Sequence, residues 1–421
     1  MVRKIIGLVR SDTLYVNSLY LLSNTLVMAA AGFLFWLIST HLYLPAQIGI
    51  ATSLISAMAL VSYISLLGFN STFVRFLPTS KTRSQQISTG LVLSITVAVI
   101  VATGYVLLVP VFAPKLGLIH DNFWYGLGFV IMAALAAVNL LTDSIFIAFR
   151  AAKYNLLIDG FIMSSIRVVL PIFLVGLGAY GIFAASGAAA SVAMVCSLYF
   201  LIKYFSYKPT LKIDKPVLRD VLHYSFSSYI ANLLNIAPTL ILPLIVINRL
   251  GPSAAAYYYL AFMIANLLYT VAYSVAQSLF AEGSYADRAF GSLVKKAVAI
   301  LAVVTVAGSL ALILIAPVIL LIFGHDYSRN ATGVLRIFAL AAPGVALYVL
   351  SSTLLRITKH VYALIVVDIV YFVTICGLSM AWAHKGLNWI GLAWLVGQLI
   401  AGALGLAVLA KHRFGLRKPA S

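Results

Sequence analysis

Long apolar runs alternate along the whole chain with short polar or turn-forming segments. The runs reach about twenty residues, the length that a helix needs to cross the hydrocarbon core of a bilayer. Membrane β-strands would instead alternate in polarity over about ten residues. The pattern therefore predicts a polytopic membrane protein that is built from α-helices.

Turns and charges divide the apolar pattern into twelve predicted spans. They cover residues 16–40, 46–74, 86–111, 122–148, 156–178, 181–203, 221–247, 254–281, 293–316, 331–355, 361–383 and 388–410. The connections are short, apart from the basic segment KYFSYKPTLKIDKPVLRD. We therefore expect an N-terminal six-helix lobe at 1–203, a cytoplasmic basic linker at 204–220 and a C-terminal six-helix lobe at 221–421.

The composition supports this fold and argues against a nucleic-acid partner. The 421 residues are 63% hydrophobic and only 9% charged, whereas soluble domains carry about 25% charged residues. The net charge of +18 is explained by basic cytoplasmic loops, so no nucleic-acid partner is expected. Cys196 and Cys376 both lie inside apolar runs, which indicates neither a disulfide nor a metal site.

The distribution of lysine and arginine predicts the orientation. With the N-terminus inside, nearly all loop cations fall on the cytoplasmic side, as the positive-inside rule requires. The opposite side holds only Lys115, Arg249, Arg329 and Lys385. Both termini are therefore expected in the cytoplasm.

The two halves resemble each other. Pro45 and Pro252, which each lead into a span, are 207 residues apart, and Asp159 and Asp368, which each enter one, are 209 apart. Because each half has an even number of spans, the halves share one orientation. The sequence thus predicts a parallel repeat, a layout found among secondary transporters.

Polar residues at helical spacing form stripes on four predicted spans. Single serines and threonines in such positions usually join helices by hydrogen bonds, but stripes on repeat-related helix pairs favour a shared polar cavity. The stripes are Asn17, Tyr20 and Asn24 on the first span; Ser53, Ser56, Tyr63 and Asn70 on the second; Ser225, Ser228, Asn232, Asn235 and Thr239 on the seventh; and Tyr259, Asn266, Thr270, Tyr273 and Gln277 on the eighth. Tyr257 and Tyr258 lie off the stripe and are expected at the lipid interface.

Charged residues inside the spans are few. Arg167 lies near the middle of the fifth span, with Asp143 and Asp159 as its expected partners, and Asp368 enters the eleventh span alone. Two interpretations stay open, a structural ion pair or a site for a proton, a cation or an anion. Arg75 ends the second span, where it either attracts an anionic head group or anchors the helix end by snorkelling.

Motifs of enzymes are absent. The chain contains no metalloprotease, serine-hydrolase, P-loop or CxxC pattern, so neither an enzyme nor an ATP-driven pump is expected, and no cofactor is implied. Energy would then come from a proton or sodium gradient.

The runs LPAQIGIATSLISAMALVSYISLLGFNSTFVRFLP at 44–78 and NRLGPSAAAYYYLAFMIANLLYTVAYSVAQSLFAE at 248–282 resemble the polysaccharide-export flippases of the multidrug, oligosaccharidyl-lipid and polysaccharide exporter superfamily. The resemblance implies a V-shaped pair of lobes, with the first, second, seventh and eighth helices lining a central cavity. It also implies translocation of polyprenyl-pyrophosphate-linked oligosaccharides by alternating access. The chain departs from many members because Arg75 is the only arginine near the polar stripes.

We therefore expect a flippase for a lipid-linked oligosaccharide or polysaccharide precursor in the plasma membrane, with membrane lipids and glycan-assembly enzymes as partners. The expected path residues are Asn24, Tyr63, Asn70, Arg75, Asn232, Asn235, Tyr259, Asn266, Tyr273 and Gln277. A cation-coupled drug antiporter of the same fold is the alternative. A membrane-embedded glycosyltransferase or ligase, or a scaffold of a glycan-assembly complex, ranks below both.

Overall fold

A computed structural model describes residues 13–210, 226–283 and 290–411, and these form helices and connecting turns without a strand. Within them, twelve helices are long and apolar enough to cross a membrane. They are α1 (Thr13–Leu42), α2 (Pro45–Ser65), α3 (Arg83–Phe112), α4 (Phe123–Ala148), α5 (Lys153–Phe173), α6 (Ala179–Phe205), α7 (Phe226–Leu250), α8 (Pro252–Gly283), α9 (Phe290–Leu321), α10 (His325–Ile357), α11 (Val361–Trp382) and α12 (Leu387–Lys411). The predicted all-helical membrane fold is confirmed.

The chain divides into two compact units, Met1–Tyr229 and Ile230–Ser421. In the first unit α4 packs against α2, α3 and α6, while α1 packs against α5. In the second unit α10 is the central helix and packs against α8, α9 and α12. Residues that α10 presents to its neighbours are therefore placed to form a site inside that unit.

The second predicted span is broken, which the sequence analysis did not anticipate. Helix α2 ends at Ser65, and the chain then turns through Leu67 and Gly68, whose φ angles are 51° and 86°. A short helix, Phe69–Phe76, follows and buries Phe69 and Phe73 in the core of the first unit. The prediction of one continuous helix over 46–74 is wrong, because a left-handed turn cannot continue an α-helix.

Helix ends repeat between the halves. Pro45 and Pro252 each occupy the first position of a helix, where the missing N–H of proline is harmless. Arg150 after α4 and Lys359 after α10 both adopt left-handed backbone, with φ of 53° and 60°. These pairs lie 207 and 209 residues apart, so the sequence offset corresponds to shared local geometry.

One element breaks this correspondence. Residues Leu156–Met163 of α5 form a π-helical stretch, whereas the matching part of α11 is regular α-helix. Such stretches are rare and often occur at functional sites. This one contains the buried residues Asp159 and Gly160.

The start of the predicted linker is attached to the first unit, and its residues 211–220 lie outside the described part of the chain. The hydroxyls of Tyr207 and Ser88 are hydrogen bonded at 2.9 Å, and the Thr210 N–H donates to Ser88 Oγ at 3.1 Å. Burial raises the pKa of the Tyr207 phenol. Tyr207 is therefore a neutral partner that holds the chain after α6 against α3.

Tyr258 is not an interfacial residue. Its side chain is 0% exposed and packs on Phe262 and Phe338, so its expected place at the lipid interface is wrong. Tyr257 is half-buried and meets Tyr327 edge to face. The physical reason is that α8 lies against α10, which covers this face of the helix.

A close backbone approach at the start of α6 yields a stability prediction. A Cβ at Gly181 would lie 2.2 Å from the backbone oxygen of Leu174, whereas one at Gly104 in α3 would have no atom within 4 Å. We expect Gly181→Ala to destabilise the fold by about 1–3 kcal/mol through overpacking. Gly104→Ala should be neutral or stabilise by up to about 1 kcal/mol. Thermal unfolding of the purified variants in detergent checks both, and equal melting temperatures would contradict the geometry.

Candidate functional site

A polar pocket of about 450 Å³ lies within the second unit, between α7, α8 and α10. Four residues of the predicted stripes line it: Asn232 and Asn235 from α7, and Tyr273 and Gln277 from α8. The remaining lining residues are Ala276, Phe280, Tyr348, Val349, Ser352, Thr353 and Arg356. The structure thus brings together residues that the sequence analysis selected on two helices.

The contribution of α10 was missed. Tyr348, Ser352 and Arg356 follow each other at steps of four, which places them on one face of the helix. The four-residue spacing is visible in the sequence, but Arg356 follows the predicted tenth span, which ends at 355, and so counts there as a cytoplasmic loop cation. In the structure Arg356 belongs to the last turn of α10.

Tyr348 connects the pocket to a buried carboxylate. Asn235 Nδ2 donates to the Tyr348 hydroxyl at 2.7 Å, and that hydroxyl donates to Asp368 Oδ1 at 2.7 Å. Asp368 is 0% exposed, and its Oδ2 makes no hydrogen bond to a described residue. A carboxylate held in this way has one oxygen available for a proton or a small cation.

The first unit holds a matching pair. Asn139 Nδ2 donates to Asp159 Oδ1 at 3.0 Å, and Asp159 is 2% exposed. Asn139 and Tyr348 are 209 residues apart, as are Asp159 and Asp368. Each unit therefore buries a carboxylate on α5 or α11 and supplies its donor from α4 or α10.

A second carboxyl accompanies Asp159. The carboxyl groups of Asp143 and Asp159 lie close enough to interact, and two neighbouring carboxyls favour a state in which one of them is protonated. The Oδ1 atom of Asp143 is buried without a hydrogen bond to a described residue. This pair can hold and release a proton.

Arg167 packs against an aromatic ring of α1. Its guanidinium carbon lies 4.6 Å from the centre of the Phe35 ring, a geometry suited to a cation–π interaction. The Asp159 side chain accepts a hydrogen bond from Asn139. The role of Arg167 stays a prediction.

Asn24 on α1 lies beside the π-helical stretch. A Cβ at Gly160 would come within 3.0 Å of Asn24 Oδ1, so the glycine permits this approach. Asn24 Oδ1 is buried and accepts no hydrogen bond from a described residue. The predicted residue thus contacts the π-helical stretch that contains Asp159.

The other predicted path residues are placed less centrally. Tyr63, at the end of α2, and Asn70, in the short helix, are half-buried, and Arg75 is exposed beside the Phe76 ring at 5.2 Å. On α8, Tyr259 is half-buried and Asn266 is exposed, and neither lines the pocket. Their roles in a substrate path stay predictions.

The model of a protein family described as polysaccharide biosynthesis proteins matches residues 40–332. The chain belongs to this family. The match begins near the end of α1 and ends in the first turns of α10, so it includes α2 to α6 of the first half and α7 to α9 of the second. No curated protein sequence matches the chain.

The chain shares its fold with several solved structures of membrane proteins. The lipid II flippase MurJ in an inward closed conformation is similar at a TM-score of 0.77 and 14% identity, over 93% of this chain and 87% of that one. An inward-facing multidrug resistance MATE family transporter of the MOP superfamily gives 0.67 and 16%, over 96% of both chains. A MOP superfamily transporter from Pyrococcus furiosus gives 0.61 and 14%, over 94% of both chains. At these identities the likeness establishes the fold.

The Tyr348 hydroxyl provides a test of the buried network. Tyr348→Phe leaves Asn235 and the buried Asp368 without their shared partner, which should cost about 1–3 kcal/mol of stability. Tyr258→Phe is the matched control, because the Tyr258 hydroxyl is buried without a hydrogen bond to any described residue. We expect only the first variant to melt earlier in detergent. A similar loss in both variants would show that the network does not stabilise this unit.

Proposed function

We propose that this protein moves a lipid-linked oligosaccharide or polysaccharide precursor from the cytoplasmic to the outer leaflet of the plasma membrane by alternating access. The observation that carries the proposal is the polar pocket, which lies within an apolar membrane unit of a polysaccharide biosynthesis protein. The lipid II flippase, whose fold this chain shares, supports the same class of substrate. Membrane lipids and glycan-assembly enzymes are its proposed partners.

The chemistry of the pocket suits a sugar. Amides from Asn232 and Gln277 and hydroxyls from Ser352 and Thr353 offer both donors and acceptors, and Tyr273 adds an aromatic ring. A volume of about 450 Å³ falls in the range of small-molecule sites. The lipid chain of the substrate would remain in the bilayer, where burying it in protein brings no gain.

We further propose that a proton or sodium gradient drives the cycle through the buried carboxylates. Asp368 in the second unit and the Asp143–Asp159 pair in the first are the candidate groups, since buried acids in membrane helices commonly form ion pathways. The distribution of loop charges supports a topology with both termini in the cytoplasm. Under this topology the Arg356 end of the pocket is on the cytoplasmic side, where the substrate would enter.

A cation-coupled drug antiporter is the second candidate. The similarity to MATE transporters and the buried carboxylates favour it. Overexpression that changes drug susceptibility equally in cells with and without the glycan pathway would support this candidate. The polysaccharide family match and the amide-rich pocket favour the flippase.

Transport by the purified chain tests the main proposal. Proteoliposomes would carry a fluorescent polyprenyl-pyrophosphate-linked oligosaccharide in the inner leaflet, with a membrane-impermeant lectin outside. We expect lectin binding to rise with time above the level of protein-free vesicles. No rise under either a proton or a sodium gradient would exclude the flippase function.

Coupling is tested by neutralising the buried carboxylate. Asp368→Asn should lower gradient-driven flipping to the level measured without a gradient, because an amide cannot exchange a proton and attracts cations weakly. Asp326→Asn is the control, since Asp326 is exposed in the first turn of α10. Full gradient dependence in Asp368→Asn would assign coupling to another group.

A further inference from the structure

Arg356 is the cationic residue among those that line the pocket of the second unit. It occupies the last turn of α10, is exposed, and shares a helix face with Tyr348 and Ser352. Its guanidinium makes no hydrogen bond or ion pair with another described residue. Its donors are therefore available to a ligand.

The other lining residues carry no opposite charge, and Asp368 attracts Arg356 only through space. The polar groups of the wall are amides and hydroxyls, and no carboxylate lines the pocket among the described residues. Asp368, the nearby acid, lies behind the Tyr348 hydroxyl and is fully buried. The pocket consequently presents a positive charge beside hydrogen-bond donors, which is the arrangement that binds anions.

Ser352 adds a second indication. The residue lines the pocket and is 6% exposed, yet its Oγ has no hydrogen-bond partner among the described residues. Serines inside helices commonly donate to the carbonyl four residues earlier, as Ser53 does to Gly49. A buried hydroxyl without a partner is unfavourable, so a polar group of a ligand would stabilise this part of the pocket.

We propose that this pocket binds the diphosphate group of a polyprenyl-linked substrate, with Arg356 as its principal anion ligand. This assignment rests on the proposed function and names the part of the substrate that the pocket recognises. The planar guanidinium can donate two parallel hydrogen bonds to phosphate oxygens. The hydroxyls of Ser352 and Thr353 and the amide of Gln277 complete the shell, and the adjoining pocket receives the first sugar.

The pocket also places an arginine beside the polar residues of α7 and α8. Arg75 was the only arginine found near the predicted polar stripes, and it lies in the first unit beside Phe76. Arg356 escaped notice because it ends α10, a helix without a recognised stripe. Under the proposed topology it faces the cytoplasmic leaflet, in which lipid-linked precursors are assembled.

Equilibrium binding to the purified full chain in detergent tests the assignment. The probes are farnesyl diphosphate, farnesol, inorganic pyrophosphate and phosphatidylglycerol, each titrated by calorimetry. We expect farnesyl diphosphate to bind, inorganic pyrophosphate to compete with it, and farnesol to bind at least about 10-fold more weakly, because charged hydrogen bonds contribute about 1.5–3 kcal/mol. Binding of phosphatidylglycerol as tight as that of farnesyl diphosphate would overturn the assignment to substrate and indicate a general phospholipid site.

Charge variants locate the site. Arg356→Gln should weaken farnesyl diphosphate binding about 10- to 100-fold, and Arg356→Lys about 3- to 10-fold, since it keeps the charge but not the planar fork. Lys359→Asn is the matched control, because it removes a positive charge three residues later and asparagine tolerates its left-handed backbone. Affinity within twofold of the unsubstituted protein in Arg356→Gln would overturn the proposal. Melting temperatures confirm that each variant is folded.

The flipping assay separates this inference from the proposed function. Flipping by the unsubstituted protein, together with unchanged binding and flipping in Arg356→Gln, would refute the diphosphate site and leave the flippase function standing. Arg356-dependent binding without flipping of any lipid-linked glycan would refute the flippase function and support the site. Loss of both binding and flipping in Arg356→Gln, with Lys359→Asn unaffected, supports both.

Discussion

A carboxylate inside a membrane helix persists only where the protein supplies the hydrogen bonds that water would otherwise provide, because an unpaired charge in hydrocarbon costs several kcal/mol. Each unit of this protein meets that constraint in the same way. Asp159 and Asp368 are each held by a donor from the preceding membrane helix, Asn139 in one unit and Tyr348 in the other. Helices α4 and α10 supply these donors, and both helices pack at the centre of their units.

The two halves share this arrangement but differ in the residues that surround the carboxylate. In the first unit, a π-helical stretch and the accompanying acid Asp143 lie next to the carboxylate. In the second unit, the carboxylate lies behind a polar pocket with Arg356 at its edge. One repeated framework thus carries two different environments, which is compatible with separate tasks for the two halves in this member of the polysaccharide biosynthesis family.

Much of the fold follows from sequence because apolar run length and loop charge are set directly by the bilayer. Polar stripes identified Asn235 and its neighbours on α7 and α8, since polar residues are costly on faces that meet lipid. The break at Gly68 was not predictable from a single glycine in an apolar run, which helices often tolerate. Tyr348 and Arg356 were missed for a related reason: one residue resembles a core aromatic and the other a loop cation until tertiary packing brings them to one pocket.

The phenol of Tyr348 has a single proton to donate. While that proton is directed to Asp368 Oδ1, the hydroxyl can only accept in the direction of the pocket, as it does from Asn235. Under the proposed coupling, a proton or cation on the carboxylate would free the hydroxyl to donate into the pocket. The direction of this one hydrogen bond would then depend on the occupancy of the buried acid, and a ligand in the pocket would sense that occupancy through a single side chain.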